Sequence, residues 1–323
     1  MRIFRSESEL PADFGPSALT IGNFDGVHAG HRRILRRLKE VADARGWKAS
    51  ALTFDPHPTR VVAPERAPQL MTSPERRAAL MAEEGIEQVL ILPFTPALSQ
   101  LSPEDFVRQL LVGRLAARAV LVGDNFRFGH LHAGNVAVLA ELGRRYGFET
   151  EIVPAVRCRG QFVSSSAIRV LLRQGRVSLA GRYLQHPFGL EGQVVTGHGV
   201  GSRQTVPTLN LAPPAGIIPA TGIYVTHTRD LDAPRHWNSV TNIGYRPTFG
   251  DSNQLSIETY LLDPFDGATP RRIAVEFLGR IREERKFASP EALKARILQD
   301  AAAARRYFRR LKAWTAGRPL APA

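Results

Sequence analysis

His28 and His31 close the run Gly22-Asn23-Phe24-Asp25-Gly26-Val27-His28-Ala29-Gly30-His31, with glycines at 22, 26 and 30. Glycines let a backbone approach a phosphate chain closely. Imidazole N–H groups can stabilise charge that develops on a transferring phosphorus and a departing pyrophosphate. The spacing alone also admits a metal-binding pair, capping histidines or a glycine-rich turn, although Asp25 is the only acidic neighbour for a metal. A second set of candidates lies far along the chain. Pro207-Thr208-Leu209-Asn210 sets a hydroxyl and an amide two residues apart, on one side of an extended segment. Such hard oxygen ligands suit magnesium, which keeps most of its waters. Gly197, Gly199 and Gly201 precede them as a candidate phosphate loop, a pattern that hairpin turns share. Glu258, in Ser256-Ile257-Glu258-Thr259, is a candidate base for a substrate hydroxyl, or an outward-facing strand carboxylate.

These residues need elements to hold them. Residues 18–23 form a short apolar run ending in Gly and Asn, which predicts a buried strand entering a loop. From His31 onward, Ile34, Leu35, Leu38, Val41 and Ala42 fall on one helical face, and Gly46 supplies a C-cap. Ser73-Pro74 and Ser102-Pro103 each pair a capping residue with a proline at the first helical position. Apolar runs near 47–54, 88–94, 119–123 and 149–156 alternate with these helices. That order predicts a doubly wound parallel sheet with helices on both faces. Near residue 185 the texture changes to short strands with turn residues, which predicts an antiparallel barrel or sandwich. Ser289-Pro290 then opens a long terminal helix. The boundary is expected between 184 and 185, giving modules 1–184 and 185–323.

Composition narrows the function classes. The chain has 323 residues, 43% hydrophobic and 23% charged, enough apolar material for two cores. Its single cysteine, Cys158, permits neither an intramolecular disulfide nor a cysteine-based zinc site. The opening residues lack the apolar region of a signal peptide, and no apolar run approaches the roughly 18–20 residues of a membrane span. A soluble, cytoplasmic protein without a membrane partner is expected. The formal charge is +13. Six arginines and no acid lie between Arg157 and Arg182, and fourteen basic against five acidic residues lie between Arg271 and Arg318. Solvated helix faces or anionic partners both account for such stretches.

The strand followed by G-x-F-D-G-x-H-x-G-H resembles the H-x-G-H nucleotidyltransferase superfamily, in the form found in prokaryotic FAD synthetase modules. Three further blocks follow in order: TFDPHP at 53–58, LVGDNFRFG at 121–129 and VSSSAIR at 163–169. The resemblance implies that His28 and His31 contact ATP phosphates, with Gly22, Phe24, Asp25 and Gly30 shaping the nucleotide loop. It implies that Ser165 and Arg169 hold the β- and γ-phosphates, Arg169 by a bidentate fork. Phe54, His57, Pro58 and Phe128 would line the flavin, and Asn125 would fix the flavin or adenosine side.

The second half is similar to the riboflavin kinase family. The matching blocks are Gly192 to Asn210, NIGYRPTFG from Asn242, IETYLLD from Ile257 and FLGRIREERKF from Phe277. This implies Thr208 and Asn210 for magnesium, Gly197, Gly201 and Pro207 for ATP, and Glu258 for deprotonating riboflavin. Arg282 and Phe287 would sit near the isoalloxazine. The chain departs from the family pattern at Thr205-Val206, where Gly-Phe is usual. A bifunctional enzyme is expected, making FMN and then FAD, with ATP, magnesium and flavins as its small-molecule partners. One alternative keeps FAD synthesis alone, with a degenerate flavin-binding barrel. Another is a basic RNA-binding protein, disfavoured because no K-M-S-K-S-like loop or RNP-type aromatic pattern is present. No nucleic-acid partner is therefore expected, and the oligomeric state is not legible.

Overall fold

A computed structural model describes residues 1–195, 208–247, 253–265, 267–285 and 287–316. Two compact units, Met1–Ala167 and Ile168–Ala323, divide the chain. The first carries a six-stranded sheet: β1 (Arg2–Phe4), β2 (Ser17–Ile21), β3 (Lys48–Phe54), β4 (Gln88–Leu92), β5 (Ala117–Gly123) and β6 (Glu149–Val153). Its order is β1-β4-β3-β2-β5-β6, and every pair is parallel. Strand β1 was not expected; three residues are too few to show an alternation.

Helices α1 (Ala29–Arg45), α2 (Pro58–Val62), α3 (Pro74–Glu83), α4 (Pro96–Ser99), α5 (Pro103–Asp105, continued by a π-helical turn Phe106–Val112) and α6 (Val136–Tyr146) flank the sheet. The start signals act as expected: Ser73 Oγ accepts from Arg76 N–H at 3.1 Å, and Ser102 Oγ from Asp105 N–H at 3.0 Å. Gly46 ends α1 in the left-handed region at φ 66°. Two separate apolar cores confirm that both sheet faces are covered. One gathers Leu19, Leu52, Leu90 and Val120 with Phe106, Phe128 and Leu139; the other gathers Ala18, Ala51, Val89 and Leu121 with Leu35, Leu38 and Met81.

The first unit ends with a small hairpin of β7 (Arg157–Cys158) and β8 (Gln161–Phe162). Helix α7 (Ser165–Arg173) spans the division between the units, and α8 (Val177–Leu184) follows it. Ser178 Oγ donates to the Leu278 carbonyl at 2.7 Å, and the Leu172 carbonyl accepts from Ala220 N–H at 3.0 Å. These bonds account for the compact second unit starting well before residue 185.

The second unit is a closed antiparallel barrel of β9 (Phe188–Val195), β10 (Thr208–Leu211), β11 (Gly222–Asp230), β12 (His236–Pro247), β13 (Asn253–Leu261) and β14 (Arg272–Arg282). Helix α9 (Pro290–Ala316) packs Ala301, Ala304 and Phe308 on its outer wall, against Ile223, Val225 and Val240. Because side chains alternate along each strand, the neighbours Thr226, Thr228, Ser239, Thr241 and Thr259 point inward, where all are fully buried. Their hydroxyls bond one another at 2.8–3.0 Å. Closure therefore rests on a satisfied polar ladder as well as on Tyr224 and Phe277, which meet edge to face at 5.3 Å.

Candidate active sites

In a doubly wound sheet, ligands lie beyond the carboxyl ends of the strands, where the winding reverses. Here that place is between β2 and β5. The loop Gly22–His28 leaves β2 there, and Asn125 follows β5. The loop is strained at Phe24 and Val27, whose φ are 47° and 38°, while Gly26 between them takes its φ of 80° freely. Such backbone persists only where surrounding contacts fix it. Asp25 supplies them. Its buried carboxylate accepts from Met71 N–H at 2.9 Å, from Thr72 N–H at 3.1 Å and from Thr72 Oγ1 at 3.1 Å. Asp25, which the sequence resemblance places among the residues shaping the nucleotide loop, holds that loop through these contacts.

His28 caps α1, and its Nδ1 accepts the N–H of His31 at 3.3 Å. That bond leaves Nε2 as the proton-bearing nitrogen of neutral His28. The two imidazoles stack, with centroids 3.7 Å apart and planes 12° from parallel. Phe24 meets His31 edge to face at 5.1 Å. A Cβ on Gly30 would lie 3.1 Å from the His28 ring, so the small residue between the histidines lets the ring fold back over the first turn. Burial pushes the His31 pKa well below 6.5, and the charges of His28 and Arg77 add to the shift.

A histidine lowered in the folded state binds fewer protons there than in the unfolded chain. Stability is thus lost as pH falls through 6.5 toward the lowered value. Thermal unfolding between pH 7 and pH 5 should show a steeper drop in Tm for the native chain than for His31→Asn. Parallel slopes would remove His31 from the acid response.

Arg77, on α3, was not picked out from the sequence. It is 2% exposed, and its Nη1 donates to Thr53 Oγ1 at 3.0 Å and to the Phe54 carbonyl at 3.2 Å. Thr53 Oγ1 in turn donates to the Asn23 carbonyl at 3.3 Å, so the end of β3 is tied to the histidine loop. Burial pulls its guanidinium below the ordinary arginine value, opposed by the charges of Asp25, Asp55 and Glu75.

Asn23 also lies 3.0 Å from His57 Nε2, while His57 Nδ1 accepts the N–H of Thr59 and caps α2, whose first residue is Pro58. Phe54 and Phe128 belong to one buried core, Phe54 edge to face with Phe94 at 5.4 Å and Phe128 stacked on Phe126 at 5.4 Å. Asn125 is exposed, its Oδ1 close to Gly123. Ser165 Oγ donates to the Asp25 carbonyl at 3.1 Å, and Ser164 takes the capping role at the start of α7. Arg169 follows Ser165 by one helical turn and is 8% exposed. The first three blocks and Ser165 of the fourth thus converge on the loop and strand ends of the first unit.

On the barrel, strand pairing does what spacing cannot. Asn210 of β10 lies directly opposite Glu258 of β13, and Glu258 directly opposite Asn242 of β12. Asn242 pairs onward with Ile223, and Ile223 with Arg282. The row is on the outer wall, because Thr241 and Thr259, one residue along, are the inward ones. Thr208 shares the face of Asn210 and is exposed. Ser256 Oγ donates to Glu258 Oε1 at 2.9 Å. Glu284, not foreseen from sequence, occupies space over Gly244 that a Cβ there would fill. Burial, together with the charge of Glu258, holds its carboxyl above the usual glutamate range. Arg282 is bound through Nε and Nη2 to Asp300 of α9, at 3.0 and 2.8 Å, and lies 5.6 Å from the Phe287 ring. Gly197, Gly201 and Pro207, with Thr205-Val206, lie outside the described residues.

Among the described residues no cluster of three acidic, histidine or cysteine side chains could hold a metal. No helix there is long and apolar enough to cross a membrane. A cleft of about 510 Å³ between the barrel and α9, lined by His227, Asn238, Asp263, Arg305 and Phe308, includes none of Asn210, Asn242 or Glu258.

A family model for FAD synthetase matches residues 10–167, and one for riboflavin kinase matches 184–308. The chain is 37% identical over 305 residues to a bifunctional riboflavin kinase/FMN adenylyltransferase of Pseudomonas fluorescens, covering 94% of this chain and 97% of that one. It is 35% identical over 290 residues to the protein of the same name from Escherichia coli K12, covering 90% and 92%. A crystal structure named as a macrolide-efflux protein from Streptococcus pneumoniae shares the fold, with TM-score 0.83 and 24% identity over 94% of this chain and 98% of that one. The matched halves stand in the order of the two units, and the chain belongs to the bifunctional riboflavin kinase/FMN adenylyltransferase family.

Proposed function

We propose that the two sites work in sequence on one flavin, each through the residues its geometry brings together. The chain phosphorylates riboflavin with ATP to give FMN, then transfers the adenylyl group of a second ATP to FMN, giving FAD and pyrophosphate. In the first step Glu258 takes the proton of the riboflavin 5′-hydroxyl as that oxygen bonds to the γ-phosphorus, and ADP leaves. In the second, an FMN phosphate oxygen bonds to the α-phosphorus and pyrophosphate leaves, so no protein nucleophile is needed. His28 and His31 donate N–H groups to the charge that forms there. Ser165 and Arg169 hold the outer phosphates, and Phe54, His57, Pro58, Asn125 and Phe128 bound the flavin of this half.

Thr208 and Asn210 fit magnesium: two hard oxygen donors on one face leave the remaining positions to water and phosphate. The ion supplies charge neutralisation on the triphosphate. We further propose a module boundary at 184–185, in the cytoplasm and without nucleic-acid partners. The observation that carries the kinase half is the register pairing of Asn210 with Glu258, which argues against a degenerate barrel. Purified protein incubated with riboflavin, ATP and magnesium should yield FMN first and FAD later, read by flavin chromatography. FAD arising only from supplied FMN would sink the kinase half. No flavin conversion from either substrate would sink both.

A further inference from the structure

We infer that Asn242 is a riboflavin-positioning residue of the kinase site, its side-chain carbonyl accepting a hydrogen bond from the ribityl 4′-hydroxyl. This rests on the reading of Glu258 as base and of Asn210 with Thr208 as the nucleotide side.

Asn242 Oδ1 is buried and has no hydrogen-bond partner among the described residues. A buried acceptor left unmade is costly, so such atoms point to a missing donor. The described neighbours on the same wall supply none. Glu258 opposite it and Glu284 over Gly244 carry carboxylates, which accept when ionised. Ile223 on the other side is apolar. Arg282, next in the row, is committed to Asp300 and, through Nη1, to the Glu283 carbonyl at 2.9 Å.

Strand order then tells the two substrates apart. The row runs Asn210, Glu258, Asn242 across β10, β13 and β12. In-line transfer sets the ADP leaving group and the acceptor alcohol on opposite sides of the γ-phosphorus, and the base must reach the alcohol. With the nucleotide at Asn210, the alcohol lies toward Asn242. Nucleotide phosphates are acceptors and could not satisfy Oδ1; the ribityl chain is a row of hydroxyl donors. Directly opposed residues have Cβ atoms about 4.5–5.5 Å apart. Adjacent hydroxyls on one chain can bridge that separation, the 5′-hydroxyl reaching Glu258 while the 4′-hydroxyl reaches Asn242.

The test is a binding cycle on the full-length protein. Riboflavin and 4′-deoxyriboflavin are titrated by fluorescence quenching against the native chain and Asn242→Ala, without ATP. Asn242→Ala should weaken riboflavin about 3- to 10-fold, the range of one neutral hydrogen bond. It should leave 4′-deoxyriboflavin unchanged. In turnover, the KM for riboflavin should rise and the KM for ATP should not, which a general loosening of the barrel would not produce. Equal weakening of both flavins, or a rise confined to the ATP KM, would overturn the assignment. If Asn242→Ala fails to fold, Asn242→Ser keeps an oxygen at the site and should lose less than half of the discrimination between the two flavins; full loss again overturns it. Because binding is read without chemistry, a failure of Glu258 as base would appear only in turnover and leave this result standing.

Discussion

Replacing His31 by Ala lowers FAD formation from FMN by about 10²–10³-fold, the range for removing one preorganised donor to a developing charge, and FMN accumulates when riboflavin is supplied. Two features make the effect large. The His31 ring is largely enclosed and stacked at 3.7 Å on His28, so water cannot easily take the place of the lost N–H. The backbone N–H of residue 31 still caps through His28 Nδ1, so the helix start survives the substitution. The loss should therefore fall on kcat more than on the KM for FMN. Riboflavin phosphorylation, carried by the barrel, should stay within twofold of the native rate. An unchanged FAD rate, measured by chromatography of the flavins, would remove His31 from the adenylyl site.

Glu258→Gln should lower riboflavin phosphorylation by about 10²–10⁴-fold, the usual span for a general base. Glutamine keeps the size and one acceptor oxygen, so Ser256 Oγ retains its bond and the β10–β13 pairing is undisturbed. What glutamine lacks is the capacity to accept the proton of the 5′-hydroxyl. The KM values for riboflavin and ATP should then change little, and FAD synthesis from added FMN should persist. The substitution also removes a negative charge beside Glu284, whose carboxyl should move back toward the ordinary range. A near-native phosphorylation rate would end the role of Glu258 as base.

Much of this was legible in the residues themselves. Helix α1 shows its cap, its apolar face and its terminal Gly46, and the two histidines announce themselves by spacing. The order of strands and helices up to residue 156 suffices for the parallel sheet. What was not legible depends on contacts between distant segments. Arg77 sits in Pro-Glu-Arg-Arg, where an arginine reads as a solvated helix residue; only the position of α3 against β3 buries it. Asn210, Asn242 and Glu258 are far apart along the chain and become neighbours through strand register. The barrel also departs from a plain apolar-in, polar-out alternation, although Tyr224, Ile243, Ile257 and Phe277 line its inside. Thr226 and Thr228 point inward and Ile223 and Val225 outward, because α9 makes the outer wall an apolar interface. The change of texture near residue 185 falls at the start of the riboflavin kinase match, 184–308, while the compact units divide at Ile168, a division set by packing that sequence texture does not show.

Because Asn210, Glu258 and Asn242 project from strands paired residue to residue, the kinase site proposed above depends on hydrogen-bond pairing rather than on loop shape. One residue added or deleted within β13, on the β12 side of Glu258, would exchange inward for outward side chains and turn the carboxylate into the hydroxyl ladder. The same change in the connections 231–235 or 262–265 leaves the row intact. The barrel thus divides its own sequence into segments whose length is fixed to the residue and segments whose length is free, and the boundary between them follows the ends of the strands.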